Sequence, residues 1–439
     1  QCAWFVMIYG FAAATLPVWL LLAPRDYLST FLKLGVVFML AVSIVVLAPD
    51  VKMPAMTEFA FSGMGPIFKG DLFPFVFITI ACGAISGFHS LVSSGTTPKL
   101  LANEREIRMI GYGSMALESF VGIMAVVAAT VLDPGVYFAI NIDLGKTAEE
   151  TVGIISAWGP QYAVTIDQMK ALAVEMGLPS LFARTGGAPS LAVGMASIFS
   201  ETFGGGLMKF WYHFAIMFEV LFILTTLDAG TRVGRFMFQD LGKHFWKPFG
   251  NVSSYPMTVI ASLIFVAAWG YFLWQGVTDP KGGIRFLWPL FGISNQLLAG
   301  IALTVATGIL IKMGKGRYFW VTGLPLAWLA VVCTTAAVTK VFSPNPEIGF
   351  WSGANAIADK IASGVIPAEK AGEAMAQVIA FRIDAALALF FAIVLWVVIA
   401  DMLRMSLRIR AGKSVLPLSE SQYVKTQLEP GMAGAGLHA

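Results

Sequence analysis

The stretch LFPFVFITIACGAISGFHSLVSSGTTPK, residues Leu72–Lys99, joins two opposite kinds of sequence. It begins as a strongly apolar run and continues into glycines, hydroxyl side chains, a histidine and a proline. An apolar run of about 20 residues crosses the roughly 30 Å of hydrocarbon in a bilayer. The glycines weaken a helix in the second half, and Pro98 favours its end. The stretch therefore predicts a membrane helix that is broken within the bilayer.

Apolar runs of similar length recur along the 439-residue chain, which is 57% hydrophobic and 13% charged. Soluble domains carry roughly 25% charged residues, which argues against a soluble enzyme. A bilayer requires backbone hydrogen bonds to close within each segment, and no alternation typical of a β-barrel appears. We therefore predict an all-α, polytopic transmembrane helix bundle. The predicted spans are residues 3–23, 31–48, 72–94, 111–132, 210–228, 256–275, 286–311, 318–338 and 383–403.

Basic residues concentrate in alternate connections between these spans. Short loops rich in Lys and Arg favour the cytoplasmic side, so these loops and the C-terminus are predicted to be cytoplasmic. The longer segments 133–209 and 339–382 then lie outside. The basic positions are Arg25, Lys99, Arg105, Arg108, Arg232, Arg235, Lys243, Lys247, Lys312, Lys315, Arg317, Arg404, Arg408, Arg410 and Lys413.

The long outer segments are expected to contain structure of their own. Pro189–Leu207 is apolar but interrupted and ends at a glycine triplet, which predicts a re-entrant or lid-like hairpin. Ile357–Gln377 is rich in Ala, Lys and Glu and predicts an external amphipathic helix. The chain opens inside an apolar run without a Met, so we expect it to be a fragment. The predicted division is a transporter core at 1–140, an extracytoplasmic segment at 141–209, C-terminal spans at 210–404 and a cytoplasmic tail at 405–439 that is polar and disordered after Arg410.

Several classes of chemistry find no support in the sequence. A net charge of +3 gives no reason to expect nucleic acid. Cys2, Cys82 and Cys333 fall in apolar runs without metal-ligand spacing, so we interpret them as small buried residues. No Walker loop, HExxH or GxSxG motif appears. We therefore expect no enzyme activity, no cofactor and no metal.

The second half of the opening stretch is the candidate substrate site. A half-helix offers backbone N–H groups to a carboxylate, and hydroxyls supply further bonds, as in secondary transporters. Alternatively, the small residues only allow close helix packing. His89 is either a proton carrier or a hydrogen-bonded structural residue. The candidate substrate-binding residues are Ser86, Gly87, His89, Ser90, Ser93, Ser94, Gly95, Thr96, Thr97 and Asn295.

Polar side chains within other spans are candidates for proton or ion coupling, because a carboxylate in lipid is costly and functional by default. Asp228 and Arg232 are spaced i, i+4 and could instead form only an ion pair. Ser294, Asn295 and Gln296 either face a cavity or bond between helices. The candidate coupling residues are Glu118, Glu219, Thr225, Thr226 and Asp228.

Five stretches, taken together, resemble the carbon starvation protein family, CstA. The resemblance runs in unbroken order from near residue 10 to about residue 400. The stretches are LPVWLLLAPRDYLSTFLK (Leu16–Lys33), LFPFVFITIACGAISGFHSLVSSGTTPKLLANE (Leu72–Glu104), LDPGVYFAIN (Leu132–Asn141), FWYHFAIMFEVLFILTTLDAGTR (Phe210–Arg232) and LWPLFGISNQLLAG (Leu287–Gly300).

This resemblance implies an inner-membrane carrier, induced in nutrient shortage, that takes up pyruvate by proton symport, with peptides as the alternative substrate. It also implies a fold similar to the APC superfamily, including LeuT, with inverted repeats of which the first is incomplete here. Pyruvate is a small anion, so a helix N-terminus with hydroxyls would bind it without an arginine clamp. A membrane nutrient sensor is the alternative from another class, but the sequence holds no domain-sized soluble segment. The oligomeric state stays open.

Overall fold

The computed structural model describes residues 2–80, 83, 85–142, 147–278 and 287–413. Regular structure in these residues is helical, which confirms the predicted all-α fold for this part of the chain. The α-helices are α1 (Cys2–Thr15), α2 (Leu22–Leu47), α3 (Phe59–Ser62), α4 (Leu72–Ile80), α5 (Gly87–Gly95), α6 (Thr97–Leu100), α7 (Glu106–Thr130), α8 (Pro134–Asn141), α9 (Ala148–Ser156), α10 (Ile166–Glu175), α11 (Ala188–Phe203), α12 (Met208–Gly242), α13 (Tyr255–Thr278), α14 (Leu287–Lys312), α15 (Phe319–Phe342), α16 (Phe350–Ala362) and α17 (Ala371–Arg410).

Within the described residues, seven helices are long and apolar enough to cross a membrane. This agrees with the predicted membrane protein, although nine spans were expected. The seven are α2, α7, α12, α13, α14, α15 and α17.

The two remaining predicted spans are interrupted. For 3–23, α1 ends at Thr15 and α2 begins at Leu22, because Pro17 lacks a backbone N–H and disfavours a helical residue before it. For 72–94, α4 ends at Ile80 and α5 begins at Gly87. Ile85 and Ser86 between these helices are not helical, and a break of this helix within the bilayer stays a prediction.

The predicted end of the span 210–228 was wrong. Helix α12 continues for 35 residues to Gly242. Arg232 and Arg235, which were predicted in a cytoplasmic loop, lie inside it and are buried. Their charges do not end the helix, because α12 packs against other helices along its length, including α1, α2 and α13.

The predicted hairpin at Pro189–Leu207 was also wrong. Helix α11 is continuous over 16 residues and ends where Gly204 adopts a φ of 100°. Its small residues serve contact with α7: a Cβ on Gly194 would lie 2.0 Å from the carbonyl oxygen of Ala128. The small residues that indicated a break therefore bring two helices together.

The predicted external helix at Ile357–Gln377 divides into parts of two helices. Helix α16 ends at Ala362, Gly364 adopts a φ of 73°, and α17 begins at Ala371. A positive φ is incompatible with a continuing helix and suits glycine. Helix α17 also runs through Arg410, beyond the predicted start of the tail; residues 414–439 lie outside the described residues.

The cysteine predictions have three outcomes. Cys333 is buried as predicted, whereas Cys2 is exposed. An apolar side chain of a membrane helix can face lipid, so its place in an apolar run does not require burial within the protein. Cys82 lies outside the described residues.

The described residues form two compact units. Unit 1 comprises the described residues within 1–57 and 95–284, and unit 2 those within 58–94 and 285–439. In unit 1, α12 packs against α1, α2, α11 and α13, and α7 packs against α11. In unit 2, α17 packs against α14, α15 and α16, and α4 packs against α14 and α15. The division at 140, 209 and 404 and the similarity to the APC superfamily stay predictions.

Candidate functional site

The break between α4 and α5 in unit 2 is stabilised by side-chain caps. Ser86 accepts a hydrogen bond from the backbone N–H of His89 at 3.3 Å, the usual role of a serine preceding a helix. Asn295 of α14 accepts one from the N–H of Phe88 at 2.9 Å. Two amides of the first turn are thus already bonded. His89 lies within α5, not in the non-helical segment where the chain was expected to leave helical geometry.

Gly87 brings the start of α5 into direct contact with the backbone of α14. A Cβ at this position would lie 2.1 Å from the carbonyl oxygen of Asn295 and 2.6 Å from the nitrogen of Ala299. Side chains cannot occupy this space without moving backbone. For Gly87, the close-packing explanation of the small residues is therefore correct.

The polar side chains at residues 294–296 of α14 form hydrogen bonds to other helices, but two of their polar atoms have no hydrogen-bond partner among the described residues. Gln296 is fully buried and donates to the carbonyl of Phe77, while Cys333 donates to its amide oxygen at 3.8 Å. The amide nitrogen of Asn295 and the hydroxyl of Ser294 are buried without a partner among the described residues. These two atoms are free to bind a ligand or water.

The serines of α5 use their hydroxyl protons on their own helix. Ser90 donates to the carbonyl of Gly87 at 2.6 Å, and Ser93 and Ser94 donate to that of Ser90 at 3.0 and 2.8 Å. These hydroxyl oxygens can therefore still accept hydrogen bonds, but their protons are already donated to backbone carbonyls. Gly95 ends α5 beneath Val233, Thr96 precedes α6, and Thr97 opens α6 with Pro98 in its first turn.

Unit 1 contains a buried ion pair that joins α1, α2 and α12. Asp228 is fully buried, and its Oδ2 lies 2.7 Å from Nη1 of Arg25 and 2.9 Å from the hydroxyl of Tyr9. Arg25 also contacts Asp26. The second oxygen of Asp228, Oδ1, is buried without a partner among the described residues. Asp228 is thus bound to a distant residue instead of forming only the expected pair within α12.

Arg232 binds the end of α1. Its Nη2 donates to the carbonyls of Ala13 and Leu16, both at 2.6 Å. The last carbonyls of a helix have no partner within it, so the guanidinium completes their bonding. One turn further along α12, Arg235 stacks on the ring of Phe236 at 4.3 Å.

Lys33 of α2 adds another cation to this region. Its ammonium donates to the hydroxyl of Thr225 and lies 5.3 Å from the centre of the Phe222 ring. Thr226 is exposed and bonds to the carbonyl of Phe222 at 3.2 Å. The structure therefore brings Thr225 into contact with Lys33, whereas Thr226 bonds within α12.

Glu118 and Glu219 are the other two carboxylates among the candidate coupling residues. Glu118 is partly exposed midway along α7, and Glu219 is partly exposed on α12, two turns before Asp228. The side chains that contact the carboxylate of Asp228 are those of Arg25 and Tyr9.

The charged group, defined as Arg25, Asp26, Lys33, Asp228, Arg232 and Arg235, holds four basic and two acidic side chains. An excess of positive charge close to apolar helices favours an anion. The unpartnered Oδ1 of Asp228 can bind a proton. The arrangement is therefore suited to binding a proton and a carboxylate together.

Tyr9, Arg25 and Lys33 were missed as functional residues by sequence reasoning. Arg25 was assigned to a loop because it follows an apolar run, and Lys33 was placed just inside a predicted span without comment. A lysine two residues into a span is an intramembrane charge, and that signal was available. Their pairing with α12, about 200 residues away, had no local signal.

The sequence matches the model of one known protein family. A family model described as "Carbon starvation protein CstA" matches residues 1–337. The chain is 51% identical over 404 residues to the "Peptide transporter CstA" of Escherichia coli, covering 90% of this chain and 57% of that protein. It is 46% identical to the "Peptide transporter CstA" of Helicobacter pylori strain J99, covering 96% of this chain and 62% of the relative.

A relative named for a different substrate is similar to the same degree. The chain is 48% identical over 418 residues to the "Pyruvate/proton symporter BtsT" of Escherichia coli, covering 89% of this chain and 58% of that protein. The chain thus spans about 60% of the length of these relatives. No solved structure gives a significant match.

Proposed function

Since the chain belongs to the carbon starvation protein CstA family, we propose that it is part of a secondary transporter that imports pyruvate or a similar small monocarboxylate by proton symport. The observation that carries the proposal is the buried pair of Arg25 and Asp228 on helices that can span a membrane. A relative at 48% identity is named a pyruvate/proton symporter, which supports this substrate and this coupling ion.

The proposed coupling step exchanges partners at one guanidinium. A proton that binds the free Oδ1 of Asp228 removes the negative charge opposite Arg25. The guanidinium then has unused donors, and guanidinium groups bind carboxylates in a two-pronged geometry. Substrate carboxylate therefore binds best when Asp228 is protonated. The positive excess from Lys33, Arg232 and Arg235 favours the anion further.

Unit 2, taken by itself, is proposed to hold a second set of polar contacts for a substrate at its broken helix. The free amide nitrogen of Asn295 and hydroxyl of Ser294 are buried donors for an oxygen ligand. The first-turn amides of Phe88 and His89 are already capped, so they contribute only if Asn295 or Ser86 moves. The remaining hydroxyls of α5 and α6 and His89 stay proposed substrate contacts.

Transport of labelled pyruvate by the full-length protein in proteoliposomes tests the proposal. With an inward proton gradient we expect accumulation, which the Asp228→Asn variant should lose while it still exchanges pyruvate across the membrane. The matched control is Asp240→Asn, an exposed carboxylate on the same helix. Uptake that ignores the gradient would contradict symport, and normal accumulation by Asp228→Asn would contradict the role of this residue.

Glu118 and Glu219 remain proposed as additional coupling carboxylates, with Thr225 and Thr226 as polar neighbours. The same assay applied to Glu118→Gln and Glu219→Gln tests them. If either carboxylate couples transport to the proton gradient, its replacement by an amide that cannot ionise should abolish gradient-driven accumulation. Accumulation retained by both variants would exclude both residues.

Peptide import is the second candidate function, named for two of the relatives. A cavity of about 650 Å³ in unit 1 favours it, because Asp50, Asp133, Glu175 and Glu201 line it beside one lysine, Lys52. Carboxylates suit the ammonium end of a peptide.

Competition between dipeptides and pyruvate distinguishes the substrates, and binding without transport would indicate a sensor. We also propose a bacterial inner-membrane location with a cytoplasmic C-terminus.

A further inference from the structure

Asp384 is a buried carboxylate within the membrane-length helix α17 of unit 2. Only 2% of it is exposed. Its Oδ2 has no hydrogen-bond partner among the described residues, and the ion pairs that these residues form do not include it. None of the contacts already described for substrate or coupling uses this residue.

The surroundings of Asp384 are apolar. Residues three and four positions apart share a face of a helix, which places Phe381 and Ala388 on the same face as the carboxylate. Ala388 belongs to a buried cluster with Val341 of α15 and Phe350 of α16. The ring of Phe350 also lies 6.1 Å from that of Phe381.

The neighbouring helices bring one buried cation near this cluster. Lys340 of α15 precedes Val341 and is 4% exposed, but its ammonium lies 4.5 and 5.0 Å from the ring centres of Phe68 and Phe75. The thiol of Cys333 is buried against Gln296. The other charged groups on elements packed against α17 are exposed, except for Lys312 at the end of α14, which is partly exposed. The exposed groups are Asp359 and Lys360 on α16 and Glu369 and Lys370 in the turn before α17.

An ionised carboxylate in such a place is unfavourable. Burying an unpaired charge costs several kcal/mol, and the group becomes neutral instead. A metal cation requires several oxygen ligands, and the described residues include no group of His, Cys, Asp and Glu that could hold one. A proton needs only one oxygen.

We propose that Asp384 is a proton-binding site of unit 2 that is occupied in this conformation. The proton leaves when movement of α17 or its neighbours exposes the carboxyl to water or to the ammonium of Lys340. Its role in transport rests on the proton symport proposed above, whereas the bound proton itself does not. Unit 2 would then contribute a protonation event of its own, separate from the one at Asp228.

Infrared spectroscopy of the full-length protein tests the bound proton without requiring transport. A protonated carboxyl group has a C=O stretching band that an ionised carboxylate lacks. At neutral pH we expect this band in the unmodified protein and its loss in Asp384→Asn. Asp401→Asn is the matched control, since Asp401 is an exposed carboxylate on the same helix. A spectrum unchanged by Asp384→Asn would overturn the proposal.

Transport assays test the coupling role. Asp384→Asn should lose gradient-driven accumulation and keep exchange of substrate, and Asp384→Glu should restore part of the accumulation with a shifted band. If Asp384→Asn fails to fold, the band shift in Asp384→Glu decides the protonation alone. Full gradient-driven accumulation by Asp384→Asn would refute the coupling role. If the unmodified protein shows no pyruvate uptake but retains the band, the proposed function fails and the protonation stands.

Discussion

Asp228 lies fully buried on α12, where an isolated ionised carboxylate would cost several kcal/mol. Arg25 and Tyr9 reduce this cost by contacting one of its two oxygens. The other oxygen is left without a bond. Because Oδ1 has no hydrogen bond, it can bind a proton while Oδ2 keeps its contacts with Arg25 and Tyr9.

Arg25→Leu should destabilise the protein by about 3–5 kcal/mol, because it leaves the charge of Asp228 buried and unpaired. The measurement is the thermal unfolding midpoint of the detergent-solubilised full-length protein. The double variant Arg25→Leu with Asp228→Leu should regain most of the loss, since no unpaired charge remains. Equal destabilisation in the single and double variants would show that the two residues do not depend on each other.

Gly87→Ala should destabilise by about 1–3 kcal/mol or more, as overpacked sites do, because the new methyl would meet the backbone of Asn295. Gly111→Ala is the control, since a Cβ there has no neighbour within 4 Å. That substitution should be neutral or stabilising, because alanine is the better helix former. Comparable unfolding midpoints for the two variants would contradict the close contact of α5 with α14.

At the scale of elements, most helices were predictable because apolar runs of membrane length leave few other structures. Their ends were less predictable. The span was predicted to end at residue 228 because charges normally mark a boundary. Arg232 is instead accommodated by the carbonyl of Ala13 in α1, and Arg235 by the adjacent ring of Phe236. Likewise, Gly194 reads locally as a helix breaker, and only its partner Ala128 reveals its packing role.

Gly194→Ala tests the contact between α11 and α7. Its Cβ would lie 2.0 Å from the carbonyl oxygen of Ala128, so the two helices must separate. We expect a loss of about 1–3 kcal/mol in stability, measured as a lower unfolding midpoint. Gly122→Ala on α7, where a Cβ has open space, should not lower it. Tolerance of alanine at residue 194 would favour the hairpin originally expected there.

At the scale of the molecule, the sequence supports the class of protein and its family more firmly than its site. The glycines and hydroxyls predicted a helix break around His89, because their effect is local, but His89 itself lies inside α5, which begins at Gly87. The partner of Asn295 and the pairing of Arg25 with Asp228 depend on segments about 200 residues apart. Periodicity within one run holds no information about such partners. Asp384 was overlooked because it stands at the edge of its predicted span, 383–403.

The predicted topology can be tested within unit 1. Lys170 on α10 is expected outside and Lys247, after α12, inside; both side chains are exposed. In a variant without its natural cysteines, Lys170→Cys should react with a membrane-impermeant thiol reagent in intact cells. Lys247→Cys should react only in inverted vesicles. Labelling of both positions from one side would refute the predicted orientation.

Helix α12 has 35 residues, a length of about 52 Å at 1.5 Å per residue. A bilayer interior of about 30 Å accommodates only part of it unless the helix tilts steeply. The remainder, with Asp240 and Lys243 exposed near its end, is therefore expected to extend past the hydrocarbon into water. A spin label at residue 240 should then be accessible to a water-soluble relaxation agent.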